Sequence, residues 1–375
     1  MTTIDEFAAG FADEPGYFDF GRFGPMATAV ADEQRGLVDL QARSRFGSEV
    51  ALDEQAGRVL RAVSSLTGFP TDQVVFQPNA SAGLQHTMFG LTGQVLLSPF
   101  EYPSLPLAVT RASSALRVVE PRWMEPSWGA VTPALVQEHL TDSTVAVAVS
   151  AVDYRTGYLA DLEGIRQVIG DRLLIVDAIQ GMGVVDAPWS LADVVVAGGQ
   201  KWLRAGWGTG FLALSERAAA ELIPVFGGVA GADLTLGGRY DGPVPPAEGA
   251  RAFQVTNPDP IAQARLATAI EGVVEVGVPT IAAAVADRAA RVIDLADEFA
   301  VPVVSSRDES ERAGLVVLEP ERQHMTTLTA SLINHGVTVT VRDATVRVST
   351  HVSNDDDSFD MLRAAFTSFS SAATY

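Results

Sequence analysis

The chain has 375 residues, of which 47% are hydrophobic and 19% charged, and carries a formal net charge of -20. This is the composition of a globular chain, long enough for one large and one smaller domain around a buried core. Its acidity argues against nucleic acid as a partner, because that binding rests on Lys and Arg neutralising phosphates. The absence of cysteine excludes disulfides, thiolate metal sites, a cysteine nucleophile and a persulfide carrier. The five histidines are scattered, with no paired-ligand spacing for a metal. No apolar run reaches membrane-spanning length. The start, MTTIDEFAAGFADEPG, lacks the basic residues and apolar core of a signal peptide. The expectation is a cytoplasmic protein with no membrane partner.

Taken in chain order, short apolar runs alternate with helical patterns. Strands are predicted at Val74–Phe76, Gln94–Ser98, Val145–Val149, Leu173–Asp177, Asp193–Ala197 and Gly210–Leu214, and helices at Ser81–Phe89, Pro133–Leu140, Asp161–Ile169 and Glu216–Leu222. Almost wholly apolar strands alternating with helices imply an α/β domain whose mainly parallel sheet is covered on both faces. A Gly- and Pro-rich loop follows at Val225–Glu248, then a helix-rich segment at Pro260–Phe299. Strands near Gly314–Leu318, Thr338–Val341 and Thr345–Ser349 and a last helix from about Asp355 suggest a smaller α+β domain. The expected division is an N-terminal segment (1–20), a large domain (21–254) and a small C-terminal domain (255–375).

The basic residues comprise 25 arginines and one lysine, Lys201. A lone lysine in an arginine-rich chain suggests chemistry that arginine cannot do: losing a proton and attacking a carbonyl carbon. The strand LLIVD ends in Asp177, and the next strand runs through Gly198-Gly199-Gln200 into Lys201. A strand–connection–strand unit brings both residues to the carboxyl edge of the sheet, where α/β folds bind ligands. This is the pair that pyridoxal 5'-phosphate (PLP) chemistry requires. The lysine amine forms a Schiff base with the cofactor aldehyde, and the carboxylate keeps the pyridine nitrogen protonated so that the ring accepts electrons. A phosphate site is offered by Phe76-Gln77-Pro78-Asn79-Ala80-Ser81-Ala82-Gly83. This strand, turn and helix start present free backbone N–H groups, a favourable helix dipole and the Ser81 hydroxyl.

Further segments follow in order: YFD at Tyr17–Asp19, NAS at Asn79–Ser81, FEY at Phe100–Tyr102, SAVDYRTG at Ser150–Gly157, VDAIQGMG at Val176–Gly183, GGQKWL at Gly198–Leu203, GWGTGFL at Gly206–Leu212 and RVSTHVSN at Arg347–Asn354. Together, from Tyr17 to the C-terminus, the chain resembles the class V aminotransferase group of fold-type I PLP enzymes. That group also holds cysteine desulfurases, kynureninases and related lyases and epimerases. The resemblance implies that Lys201 carries the cofactor and shuttles protons. It further implies that Asp177 pairs with the pyridine nitrogen, Gln180 sits near the ring oxygen and Tyr102 stacks on the ring. Ala80, Ser81 and Gln200 would contact the phosphate. Thr256 would reach the phosphate of the neighbouring subunit, making a homodimer with shared active sites. Arg347 would grip the substrate α-carboxylate, and Tyr154 is a second expected substrate-binding residue. Three positions depart from subgroup patterns. Val255 stands where the group has glycine, Tyr154 where desulfurases have Asn, and Gln200 where kynureninases have Tyr. The first functional expectation is an aminotransferase acting on a small amino acid through a Cα carbanion. The alternative is a C–S or kynureninase-type lyase without a persulfide cysteine, followed by an epimerase or a PLP-binding protein without turnover.

Overall fold

The computed structural model describes residues 2–43, 45, 47, 49–235 and 242–373. Strands β1 (Val74–Phe76), β2 (Gly93–Leu97), β3 (Val119–Trp123), β4 (Thr144–Ser150), β5 (Leu173–Asp177), β6 (Val194–Gly198) and β7 (Gly210–Leu214) form one sheet in the order β1-β7-β6-β5-β4-β2-β3. β7 runs antiparallel to both neighbours, and the other pairings are parallel. The α/β architecture with a mostly parallel sheet is therefore as expected. β3 was not foreseen. Its sequence, VEPRW, carries two charges and a proline, which the sheet edge tolerates because one side makes no ladder.

The helices are α1 (Ile4–Ala9), α2 (Thr28–Ala42), α3 (Val50–Thr67), α4 (Ala80–Gly90), α5 (Ser104–Leu116), α6 (Pro133–His139), α7 (Leu162–Ile169), α8 (Glu216–Glu221), α9 (Pro260–Val276), α10 (Val278–Glu298), α11 (Met325–Asn334) and α12 (Asp356–Ala373). Strand residues alternate between two apolar layers. Leu174, Val176 and Val195 face a layer with Val63 of α3 and Leu266 and Ile270 of α9. Leu173, Ile175, Val194 and Val196 face Leu84 and Met88 of α4 and Leu105 and Val109 of α5. Each such fully buried Val, Leu, Ile or Met contributes about 2 kcal/mol of hydrophobic free energy. Gly83 lets α4 lie directly on β6, since a Cβ there would meet Val196 Cγ1 at 2.7 Å. That close approach sets the N-terminus of α4 over the strand ends.

A second sheet, β8 (Leu315–Leu318), β10 (Thr345–Ser349) and β9 (Thr340–Arg342), is antiparallel in the order β8-β10-β9. It packs on α10, α11 and α12 through Ile293, Leu328, Leu332, Val346 and Phe366. Two features refine the expected division. Tyr17–Asp19 bridges to Thr338 and Ser349, so the N-terminal segment joins the small sheet. α9 packs on α2 and α3 in the large body, whereas the boundary was expected at 254/255. We propose that the small domain begins at α10, beyond the 85° bend that separates the two helices. The loop expected at Val225–Glu248 holds a 3-10 turn at Val229–Gly231 and a bridge between Ala232 and Pro246, and residues 236–241 of it lie outside the described residues. Among the described residues no single helix is long and apolar enough to cross a membrane.

Candidate active site

Neighbouring parallel strands with a common direction put their carboxyl ends on one edge. β5 and β6 do this with Asp177 opposite Val196. Asp177 is 2% exposed, and its Oδ1 accepts the Ile179 N–H at 3.1 Å. After β6 the chain turns through Gly198 and Gly199, and Gly199 N–H donates to the Thr209 carbonyl at 2.9 Å. This turn returns Lys201, 7% exposed, to the same edge. Both side chains line one cavity of about 630 Å³. Burial brings the Lys201 amine down to about 8, with Asp177 pulling it upward and Arg347 and Arg342 pressing it lower. Burial raises the Asp177 carboxyl, opposed by the Ile179 N–H and by Lys201.

One wall is the start of α4. Asn79 caps it by accepting the Ala82 N–H at 2.9 Å, which leaves the first-turn N–H groups of Ala80 and Ser81 at the cavity. Ser81 Oγ lies 2.8 Å from Ser104 Oγ at the start of α5, so two hydroxyls and two helix starts converge there. Above, the Tyr102 ring centroid is 5.4 Å from Lys201 Nζ. Gln180 donates to the Gly21 carbonyl at 2.9 Å and accepts from Trp202 Nε1 at 2.9 Å. Its amide thereby ties the N-terminal segment to the large domain. Gln200 lines the cavity, and its carbonyl accepts the Gly24 N–H at 2.8 Å.

The opposite wall is the β9–β10 hairpin. Arg347, 3% exposed, donates through Nη1 to the Tyr154 carbonyl at 3.0 Å and through Nη2 to Thr340 Oγ1 at 3.1 Å, with Asp19 at 3.9 Å. Its Nε is buried without a hydrogen-bond partner among the described residues. Burial brings the guanidinium down to about 10, Arg342 adds to this and Asp19 opposes it. The Tyr154 ring stands edge-on to Tyr102 at 5.3 Å and carries the Arg342 guanidinium 4.8 Å from its centroid.

The structure thus brings Ala80, Ser81, Tyr102, Asp177, Gln180, Gln200, Lys201 and Arg347 into one cavity, with Tyr154 immediately behind Arg347. Thr256 is not among them. It lines an adjoining apolar cavity beside His86 and Phe226, which shares Pro78 and Gly208 with the first. Sequence reasoning missed Ser104, Arg342 and Asp19 as parts of the site. Arg342 carried a usable signal. It and Thr345 flank the two-residue turn Asp343-Ala344, and a hairpin in which Arg342 pairs with Thr345 puts Arg342 and Arg347 on one face. Glu101 was also missed. It is buried, and burial raises its carboxyl to about 7, against hydrogen bonding with Ser150 and with Asp153 and Asp177 adding to the rise.

Known proteins share this fold and part of this sequence. The chain is 27% identical over 301 residues to the uncharacterized aminotransferase YcbU of Bacillus subtilis (strain 168), covering 78% of this chain and 77% of that protein. Its fold is similar to an apo cysteine desulfurase from Thermococcus onnurineus NA1, with a TM-score of 0.83, 20% identity and 93% of each chain covered. It is equally similar to the cystine C–S lyase C-DES, in a variant with glycine covalently linked to its PLP cofactor, with a TM-score of 0.84, 19% identity and 95% and 97% covered. At these identities the two solved structures speak for the fold. Residues 53–373 match the sequence profile of aminotransferase class V, and with that span the chain belongs to the aminotransferase class-V family.

Proposed function

We propose that this chain is a PLP-dependent aminotransferase acting on a small amino acid. The observation that carries the reading is the burial of Lys201 and Asp177 in one cavity, between the α4 start and Arg347. The donor set fits the cofactor. Ala80, Ser81, Ser104 and Gln200 would hold its phosphate, as helix starts hold dianions. Asp177 would keep the pyridine nitrogen protonated, and Tyr102 would cover the ring face. Bound there, the cofactor supplies an electron sink for charge that develops at the substrate Cα.

The chain's own residues do the rest. Lys201 is the amine that would hold the cofactor aldehyde, and once displaced it would remove and return the proton at Cα. Its pKa of about 8 leaves an appreciable neutral fraction near pH 7.5, as a base requires. Arg347 would receive the α-carboxylate, oriented by Tyr154, Thr340 and Asp19. The Gly21–Phe23 segment and Trp207 border the mouth, with Phe23 and Trp207 stacked at 5.6 Å. In a homodimer, Thr256, exposed on the adjoining apolar cavity, would serve the partner's phosphate.

The test is a spectral screen of PLP-loaded protein against single amino acids. A lasting change of the cofactor absorption with one equivalent of keto acid released is expected. Continuous release of pyruvate or another fragment, without an added keto acceptor, would instead assign a lyase. A protein that takes up no PLP sinks the reading.

A further inference from the structure

Among the described residues, four cations and two carboxylates surround the cavity, and Arg342 is the cation among them with no carboxylate at hand. Arg22, Lys201, Arg342 and Arg347 line it, with Asp177 the carboxylate among the lining residues. Asp177 faces Lys201, and Asp19, immediately behind, serves Arg347 at 3.9 Å and Arg22 at 3.7 Å. Arg22 is 76% exposed and already paired, so solvent screens most of its charge. Arg342 differs. It is half-buried, and among the described residues no carboxylate lies within ion-pair distance of its guanidinium. Its guanidinium rests on the Tyr154 ring at 4.8 Å. It is near enough to disfavour the charged forms of both Lys201 and Arg347. Like charges held together in a half-buried cavity cost free energy unless an anion arrives to separate them.

The hairpin builds this placement in. Thr345 pairs with Arg342 and Arg347 with Thr340, so all four side chains leave one face of β9–β10. Val346, on the opposite face, is in the small-domain core. The two arginines therefore leave the same face of the hairpin. The phosphate end of the cavity is formed by other elements, the starts of α4 and α5 at Ser81 and Ser104. A single α-carboxylate at Arg347 would leave Arg342 without an anion.

We propose that Arg342 is a specificity residue that receives a second anionic group, so that the substrate is an amino acid with a carboxylate or similar acidic group at its side-chain end. This rests on the PLP reading above and deepens it. Tyr154 is the platform: its ring orients the Arg342 guanidinium while its carbonyl holds Arg347. A planar fork meeting a carboxylate in a partly dehydrated cavity discriminates by about tenfold to a hundredfold against a neutral side chain.

The experiment titrates PLP-loaded protein with L-alanine, L-aspartate and L-glutamate and follows the cofactor absorption. At least one acidic amino acid is expected to reach half-saturation at a concentration about tenfold to a hundredfold below that for alanine. Arg342→Gln is expected to reduce that acidic-to-neutral ratio by a similar factor while retaining the cofactor band. A wild-type protein that responds to alanine as well as to either acidic amino acid overturns the inference and leaves the PLP reading standing. An R342Q protein that loses its cofactor overturns it too, by assigning Arg342 to the phosphate. Absence of any PLP band in the wild type is the separate failure of the underlying reading.

Discussion

The two ends of the cavity are built differently. At the large-domain end the chemical groups sit at the ends of regular elements. Asp177 closes β5, Lys201 follows the turn after β6, and Ala80 and Ser81 open α4. At the small-domain end the groups come from segments far apart in the chain. Asp19 belongs to the N-terminal segment, Tyr154 to the loop after β4, and Arg342 and Arg347 to the hairpin. The close packing of Gly157 helps fasten this end. Its φ is +75°, and a Cβ there would collide with the Leu315 carbonyl oxygen, so the Tyr154 loop rests directly on the small sheet. Arg204, buried beneath the site, pairs with Asp13 and contacts His351 and Ser353, fastening the N-terminal segment to both domains. The difference implies a division of labour: the large-domain end holds a cofactor by fixed geometry, and the small-domain end selects a substrate through groups that converge only in the folded chain.

Substitutions at the two ends should therefore fail in different ways. The largest effect is expected at Asp177. Asp177→Asn keeps the shape but removes the charge opposite the pyridine nitrogen, and should lower turnover on the order of a hundredfold to a thousandfold, measured as kcat with saturating PLP. Arg347→Gln should leave the cofactor band in place and raise the half-saturating amino-acid concentration about tenfold to a hundredfold. If R347Q loses the cofactor while D177N keeps full turnover, the division of labour is reversed.

A smaller effect concerns pH. Burial lowers Lys201 to about 8, and only the neutral amine can attack the cofactor aldehyde. The rate of PLP uptake by apoprotein should rise about tenfold per pH unit up to about 8 and level off above it. A rate that keeps rising to pH 10 would show that the amine is not held down. The smallest effect is at Glu101, whose folded-state pKa of about 7 exceeds its ordinary value of 4.5. A raised carboxyl stabilises the fold below about pH 4.5, and that contribution is lost as pH climbs through 7. Glu101→Gln should remove this slope and gain about 3 kcal/mol relative to wild type at pH 8, by urea unfolding. Parallel stability curves for the two proteins between pH 5 and 8 would contradict it.

How much was legible follows the same line. β5, β6 and β7 are buried throughout, so their apolar runs announce them and place Asp177 and Lys201 within a residue. The α4 start was readable because Asn79 and Ser81 are cap-type residues before a helical pattern. β3 was hidden by Pro121 and its charged neighbours, which an edge strand accepts. α2 and α3 are partly exposed helices with many charges, and their one buried face was too sparse to stand out. Asp19 could be read as part of YFD, but nothing local to it says that it meets Arg347 from the other end of the chain. Arg342 is readable in principle from hairpin pairing, but the last matching segment, RVSTHVSN, begins only at Arg347.

Because Lys201 is the sole lysine of the chain, its attachment to the cofactor is directly testable. PLP-loaded protein should be reduced with borohydride, digested and mapped by peptide mass. One phosphopyridoxyl group per chain is expected, on the peptide containing Lys201. An unlabelled Lys201 peptide, or label confined to the N-terminal amine, would contradict it.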